Sequence, residues 1–371
     1  MILARTDNSI IGNWWWTIDR WTLGALAILL SFGAIMSLAA TPAIAERMNF
    51  NSFHFVERHF IFLIVGVSTI LITSMLSLRG IRRLSSIILL FTLILMIAVL
   101  LVGPEIKGAT RWFKFWGFSL QPSEFIKPSF AVIAAWMFSE GQIKKSFPGI
   151  GIATGLFLTI FLLLLLQPDI GMAFVVGAIW ITEFFVAGMP LFLVAIVGII
   201  FIFGGFFAYL VFDHVQLRVD RFLDIAEGGG YQVGRAIEAF KKGGLIGRGP
   251  GEGRVKEVLP DAHADFVFAV TGEEFGLLVC LAIIAIFIFI LLRGIIRVFN
   301  ERDLFVLLAV CGLLTQFTVQ ALVNMASTVN LIPPKGMTLP FISYGGSSTI
   351  ALAFGMGLLL ALTRRRISAE R

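Results

Sequence analysis

Residues 148–187 read PGIGIATGLFLTIFLLLLLQPDIGMAFVVGAIWITEFFVA. Two apolar runs, Pro148–Leu166 and Ile170–Ala187, are parted only by Gln167-Pro168-Asp169. Each run approaches the ~20 residues that a helix needs to cross a bilayer. Proline permits the turn between them, and Asp169 can cap the second helix. The stretch therefore predicts a helical hairpin embedded in a membrane.

The same pattern extends outward. Apolar runs with polar, Pro or Gly punctuation predict helices at Trp21–Thr41, His59–Leu78, Leu84–Val102 and Ser123–Phe138 before the hairpin. Others follow at Leu191–Phe212, Phe266–Leu292, Leu304–Met325 and Tyr344–Leu362. Composition agrees: 58% of the 371 residues are apolar and 14% charged, where soluble domains carry about 25% charged residues. Soluble, disordered and secreted classes are excluded. The expected fold is an all-α integral membrane protein of about ten transmembrane helices. A long extracytoplasmic loop joins helices seven and eight. Residues 1–371 form a single polytopic domain, with cytoplasmic ends at 1–20 and 363–371 and the long loop at 213–265.

Orientation rests on Lys and Arg in short loops. Arg79, Arg82, Arg83, Lys144, Lys145, Arg293, Arg297 and Arg364–Arg366 crowd the side of the termini, which favours cytoplasmic ends. The formal charge of +6 then records orientation and implies no nucleic acid. Glu183, about a turn from the cytoplasmic end of its run, is expected to snorkel towards that surface. Cys280 and Cys311 lie in apolar runs and read as core residues. The four histidines form no Cys/His cluster and give no metal signature.

Four polar clusters fall on the outer side. The first is Lys107–Trp112 followed by Gln121–Glu124 and Lys127. Glu124 and Lys127, three apart, can pair structurally on one helix face. Lys107 and Arg111 would suit a lipid-linked phosphate. The second is Gln167-Pro168-Asp169, where capping competes with a functional carboxylate. The third is the long loop. Gly247, Gly249, Gly251 and Gly253 read as a flexible, tightly turning segment, and Leu259–Phe266 leads a carboxylate, Asp265, into the eighth helix. Asp265 is either a helix cap or a base whose part-burial favours proton abstraction. Glu273 and Glu274 follow, and at least one must find a partner in the bundle. The fourth is Pro333–Ser348, whose Pro and Gly imply a non-helical re-entrant segment carrying Lys335. Glu57 and His59 read as interfacial polar residues at the mouth.

Together these clusters resemble the SEDS family (shape, elongation, division and sporulation), integral-membrane peptidoglycan polymerases. The matching stretches are Lys107–Trp112, Gln121–Glu124 with Lys127, Gln167–Gly171, Tyr231-Gln232, Gly243–Gly249, Leu259–Phe266, Gly272–Gly276 and Lys335–Ser348. Each is weak alone, and their order along the whole chain is specific. The opening Trp14–Arg20 and the run Gly247–Gly253 resemble the division branch, with the elongation branch as the nearest alternative.

The resemblance implies polymerisation of lipid II on the outer leaflet during division, at the septal cytoplasmic membrane. It implies that Asp265 is the catalytic base, although Ala264 replaces the family's usual Thr. Cationic groups must then stabilise the departing polyprenyl diphosphate. Lys335 is the first candidate, with Arg111, Lys107 and Arg218 behind it. Glu124, Lys127, Asp169, His263 and Ser343 complete the expected substrate-binding set. No cofactor is certain, and a divalent cation (Mg or Mn) is an open addition. Implied partners are lipid II, the polyprenyl-diphosphate-linked glycan, a class B penicillin-binding protein, other division proteins and membrane lipids. Two rivals stand beside this reading: a lipid II transporter, whose midplane site and repeated halves are not evident, and a non-catalytic scaffold.

Overall fold

The computed structural model describes residues 9–106, 109–115, 118–211, 231–333 and 335–364, together with residues 216 and 220. Two short helices and an apolar one open the chain: α1 (Ile10–Thr17), α2 (Arg20–Ala40) and α3 (Pro42–Arg47). They are followed by α4 (His54–Ser74) and α5 (Leu78–Val102). Two antiparallel pairs, β1 (Glu105–Ile106) with β2 (Ala109–Thr110) and β3 (Phe113–Phe115) with β4 (Phe118–Leu120), occupy the connection to α6 (Pro122–Ile143). The predicted hairpin is α7 (Gly149–Leu166) and α8 (Ile170–Val186), capped by Asp169, whose carboxylate accepts from the Met172 N–H at 3.2 Å. Then come α9 (Leu191–Val211), the loop helices α10 (Tyr231–Gly243) and α11 (Val255–Val258), and α12 (Val267–Val298), α13 (Leu304–Thr328) and α14 (Gly346–Leu362).

Every predicted span has its helix, and the protein is an all-α, multi-pass membrane protein. Among the described residues, six helices are long and apolar enough to cross a membrane, and α8 and α14 are shorter apolar helices. The arrangement follows from where apolarity is one-sided. On α5, Leu90, Ile94, Ile97 and Leu101 recur at three- and four-residue spacing on the outward face, the position of lipid. By contrast α14 is apolar on every face beyond its first turn and buried from Ala351 to Leu362. It packs among α4, α6 and α13. Small residues allow that approach: a Cβ at Gly357 would overlap the Thr73 hydroxyl of α4.

Two features depart from the expectations. Glu183 does not snorkel: it is fully buried, and neither carboxyl oxygen has a hydrogen-bond partner in the structure. The physical reason is Gly312 of α13, which leaves the carboxyl room inside the bundle; a Cβ there would overlap Glu183 Oε1. Second, α12 is not one continuous helix. Gly276 has φ 80° and ψ 178°, outside helical geometry.

The C-terminal end of α12 is fixed to the entrance of α2. Arg293 grips Asp19 with two bonds at 2.9 and 3.1 Å, and Arg297 adds a third at 2.9 Å. Burial raises the Asp19 carboxyl, but the bonds from Arg293 and Arg297 outweigh it and hold it at about 2. A carboxylate held below its unfolded-state value stabilises the fold above about pH 4 and loses that contribution as pH falls towards about 2. Thermal unfolding of the detergent-solubilised protein should therefore weaken between these limits more steeply for the native chain than for Asp19→Asn. Parallel pH profiles for the two would show that the clamp contributes nothing.

Candidate active site

The re-entrant segment between α13 and α14 lies against the loop that leads into α12. Three backbone groups of that loop are held in succession. The His263 carbonyl accepts from the Tyr344 N–H at 2.9 Å. The Ala264 carbonyl accepts from Ser343 Oγ at 2.5 Å, and the same hydroxyl accepts from the Leu339 N–H at 2.8 Å. The Asp265 carbonyl accepts from Asn324 Nδ2 of α13 at 2.9 Å, and that amide also donates to the Met337 carbonyl at 2.6 Å. Residues 263–265 and 337–344 are thus one unit. Asp265 aims its carboxylate at Gly336: a Cβ built there would stand 3.5 Å from Oδ2. Gly336 has φ 65°, a conformation that a side chain disfavours. So the segment passes the carboxylate closely, one residue after Lys335.

The far side of that segment touches the first-turn region of α8. A Cβ at Gly171 would lie 3.3 Å from Met337 Cε, 3.8 Å from the Lys335 carbonyl and 3.8 Å from Asp169 Oδ1. Residues 335–337 therefore run between the two aspartates. Asp169 pairs with Arg111 at 3.3 Å and accepts weakly from Gln121 Nε2 at 3.4 Å. Burial pushes its carboxyl above the usual carboxylate range, against the opposing pull of Arg111. Arg111 also donates to the Gln167 carbonyl at 3.0 Å and to the Pro168 carbonyl, closing the C-terminus of α7. Lys127 has no exposed surface. It pairs with Glu124 at 2.8 Å and donates to Gln320 Oε1 of α13 at 2.7 Å. Both groups are spent on protein partners, so they brace the mouth. Lys107 and Arg218 lie outside the described residues.

His263 and Tyr344 join an aromatic group from α4. Ring centroids of Tyr344 lie 5.6 Å from Phe55, 5.7 Å from His59 and 5.3 Å from His263. Burial lowers the His263 imidazole to about 4, against an opposing pull from Asp261, so it is neutral near pH 7. His59 is buried behind Tyr344, while Glu57 is exposed.

The glycine run is anchored, unlike the flexible loop expected. Arg248 and Gly249 N–H groups donate to the Glu273 and Glu274 carbonyls at 3.0 Å each. The Glu273 carboxylate accepts from Arg254 and Val255 N–H, and Glu274 accepts from Gly251 N–H at 2.9 Å. Lys256 pairs with Glu274 at 2.6 Å and donates to the Ala39 carbonyl of α2 at 2.9 Å. Both glutamates thus find partners, in a loop that spans the break at Gly276. Leu277 and Leu278 N–H, which a continuous helix would satisfy internally, donate to the Gly244 and Leu245 carbonyls.

Sequence reasoning missed Gln320 and Asn324. The signal was present as spacing: Gln316, Gln320 and Asn324 recur every four residues on one face of an otherwise apolar helix.

A family model described as a cell cycle protein, covering FtsW, RodA and SpoVE, matches residues 20–367. The chain belongs to the FtsW/RodA/SpoVE family. It is 44% identical over 367 residues to a protein of Caulobacter vibrioides named probable peptidoglycan glycosyltransferase FtsW, covering 99% of this chain and 94% of that one. A protein of the same name from Geobacter metallireducens is 36% identical, covering 94% of this chain and 96% of its own. Among solved structures, a chain from work on coordination of polymerization and crosslinking by a peptidoglycan synthase complex superposes with a TM-score of 0.75. It is 25% identical, with 93% of this chain and 97% of that chain covered. The rod shape determining protein RodA of Thermus thermophilus matches with a TM-score of 0.65 at 25% identity, over 93% of this chain and 96% of its own. The relatives named FtsW agree with the division-branch resemblance.

Within this FtsW-like scaffold, Asn324 is the joint between the 263–265 loop and the re-entrant segment. Asn324→Leu should destabilise the protein by about 1–3 kcal/mol through the buried Met337 carbonyl left unpaired. It should also open residues 259–266 to proteolysis. Unchanged thermal unfolding and protease resistance would remove Asn324 from this role.

Proposed function

We propose that the protein is a division-branch peptidoglycan glycosyltransferase that polymerises lipid II at the outer face of the cytoplasmic membrane. The observation that carries the reading is the close passage of Gly336 over the Asp265 carboxylate. It joins the one acidic side chain of residues 262–266 to a segment bearing a cation, from positions about seventy residues apart in sequence. Similarity to proteins named peptidoglycan glycosyltransferase supports it.

In this reading the sugar 4-hydroxyl of the acceptor attacks the anomeric carbon of the polyprenyl-linked donor. Asp265 removes the hydroxyl proton as the new glycosidic bond forms. The bond from the anomeric carbon to the diphosphate breaks, and its electron pair leaves with the polyprenyl diphosphate. Lys335 neutralises the charge that develops there. Asn324, Ser343 and Tyr344 hold the base loop in register, which limits the motion of the carboxylate relative to the acceptor. Arg111, Asp169, Glu124 and Lys127 fix the opposite wall of the mouth, and His263 offers a neutral, part-apolar surface beside it. Among the described residues no three His, Cys, Asp or Glu side chains are grouped to hold a metal ion. A Mg or Mn ion at this site would take its ligands from the oxygens of the substrate diphosphate.

Both termini are cytoplasmic in this reading, and the 213–265 loop is extracytoplasmic, which puts Asp265 and Lys335 on the side of peptidoglycan. In this reading the new glycan strand must be crosslinked into the wall. A class B penicillin-binding protein is the partner, together with other division proteins; the similarity to a chain of a peptidoglycan synthase complex supports it.

The test supplies lipid II to the purified protein with its partner and measures glycan polymer. Asp265→Asn, which keeps the shape and removes the base, should lower polymerisation by about 10²- to 10⁴-fold. Full activity in that variant overturns the assignment. Movement of lipid II between leaflets without polymer would favour a transporter. In the same assay Lys335→Gln should lower kcat by about 10²- to 10³-fold, with a smaller change in KM. A change confined to KM would make Lys335 a binding group without a role in the transition state.

A further inference from the structure

A groove among the described residues lies apart from the proposed reaction. It lies between α10 and α12 at the Gly276 break, has a volume of about 390 Å³, and is lined by Phe240, Lys241, Gly244, Leu245 and Leu277. Its lip is strongly apolar: Leu245 is 64% exposed, Ile246 82% and Leu278 60%. This lip is not a loose loop. The Gly244 and Leu245 carbonyls accept from Leu277 and Leu278 N–H at 3.0 and 3.2 Å, which pins the wedge to the broken helix. The other face of α10 is committed to the protein through Val233, Ala236 and Ala239.

Cations gather at the same rim. Lys241 and Lys242 end α10, and Arg248 donates from Nε to the Lys242 carbonyl at 3.3 Å, which places its guanidinium at the C-terminus of that helix. Glu238 is occupied by Arg235 at 2.6 Å and Lys242 at 2.5 Å. Lys241 and Arg248 have no ion-pair partner among the described residues. An apolar wedge held at fixed depth needs hydrocarbon against it, and two uncompensated cations at its edge need an anion. One molecule supplies both when a phosphate is joined to acyl chains.

We propose that this groove binds an acidic phospholipid, with its phosphate on Lys241 and Arg248 and an acyl chain along Leu245 and Leu277. Charge complementarity selects the acidic headgroup over a zwitterionic one. Bound lipid would hold α10, and through Gly247–Gly253 the start of α12, at a set height in the membrane interface.

Native mass spectrometry of the full chain, equilibrated with equal fractions of phosphatidylglycerol and phosphatidylethanolamine, tests the site. The native chain should retain phosphatidylglycerol in preference. The exposed pair Lys241→Glu with Arg248→Glu should lower that retention by about 10-fold or more, with thermal unfolding unchanged. Ile246→Ser with Leu245→Ser should weaken retention of both lipids while keeping the preference between them. Equal phosphatidylglycerol retention in native and charge-reversed chains overturns the proposal. A third arm adds polyprenyl diphosphate. If it displaces phosphatidylglycerol at equal concentration from the native chain, the groove belongs to the substrate lipid and the phospholipid assignment fails.

Discussion

Hydrogen-bonding groups inside an apolar bundle must be satisfied by protein, and α13 is built around that constraint. Gln320 and Asn324 face inward from a helix surrounded by Leu, Val and Ala. Gln320 accepts from Lys127 and donates to Thr338 and Ser348. Asn324 donates to Asp265 and Met337. Four elements meet on these two amides: α6, the base loop, the re-entrant segment and α14. The re-entrant segment has no internal helix to pair its backbone, so its persistence at membrane depth depends on such donors. Remove the amides and the union of the Lys335 segment with Asp265 is left to Ser343 Oγ and the Tyr344 N–H.

The spans were legible because lipid imposes a length and an apolarity that few other environments demand. Asp265 was legible as a carboxylate entering a helix, and its catalytic reading came from the resemblance. Partnership was much less legible. Arg111 and Lys127 carry the charge expected of a phosphate site, yet their donors meet main-chain carbonyls, Asp169, Glu124 and Gln320. Sequence reports a side chain's charge and leaves open which groups converge on it from 56 or 193 positions away. Glu183 makes the same point from the other direction. Its position near a helix end suggested an escape to water, and a glycine on the facing helix decided otherwise. The four-residue spacing of Gln316, Gln320 and Asn324 was the one readable sign of the central joint.

The loop between α10 and α12 shows how a charged pair in a membrane helix is accommodated. Glu273 and Glu274 sit where the helix has been opened, and the inserted backbone offers both of them N–H donors. Lys256 then neutralises Glu274 while reaching the last turn of α2. The glycines are needed because the inserted chain passes main chain against main chain.

The break at Gly276 has a mechanical consequence. A continuous helix of the length of α12 would reach about 48 Å, well beyond the hydrocarbon thickness of a bilayer. Such a rod would have to tilt to match membranes of different thickness, and its tilt would swing Asp265 across the mouth. Here the long part after Gly276 is tied to Asp19 near its C-terminal end, while the 263–265 loop is fastened to α13 and the re-entrant segment instead. With the helix interrupted at Gly276, a tilt of the part that follows it need not be transmitted as a rigid rod to Asp265.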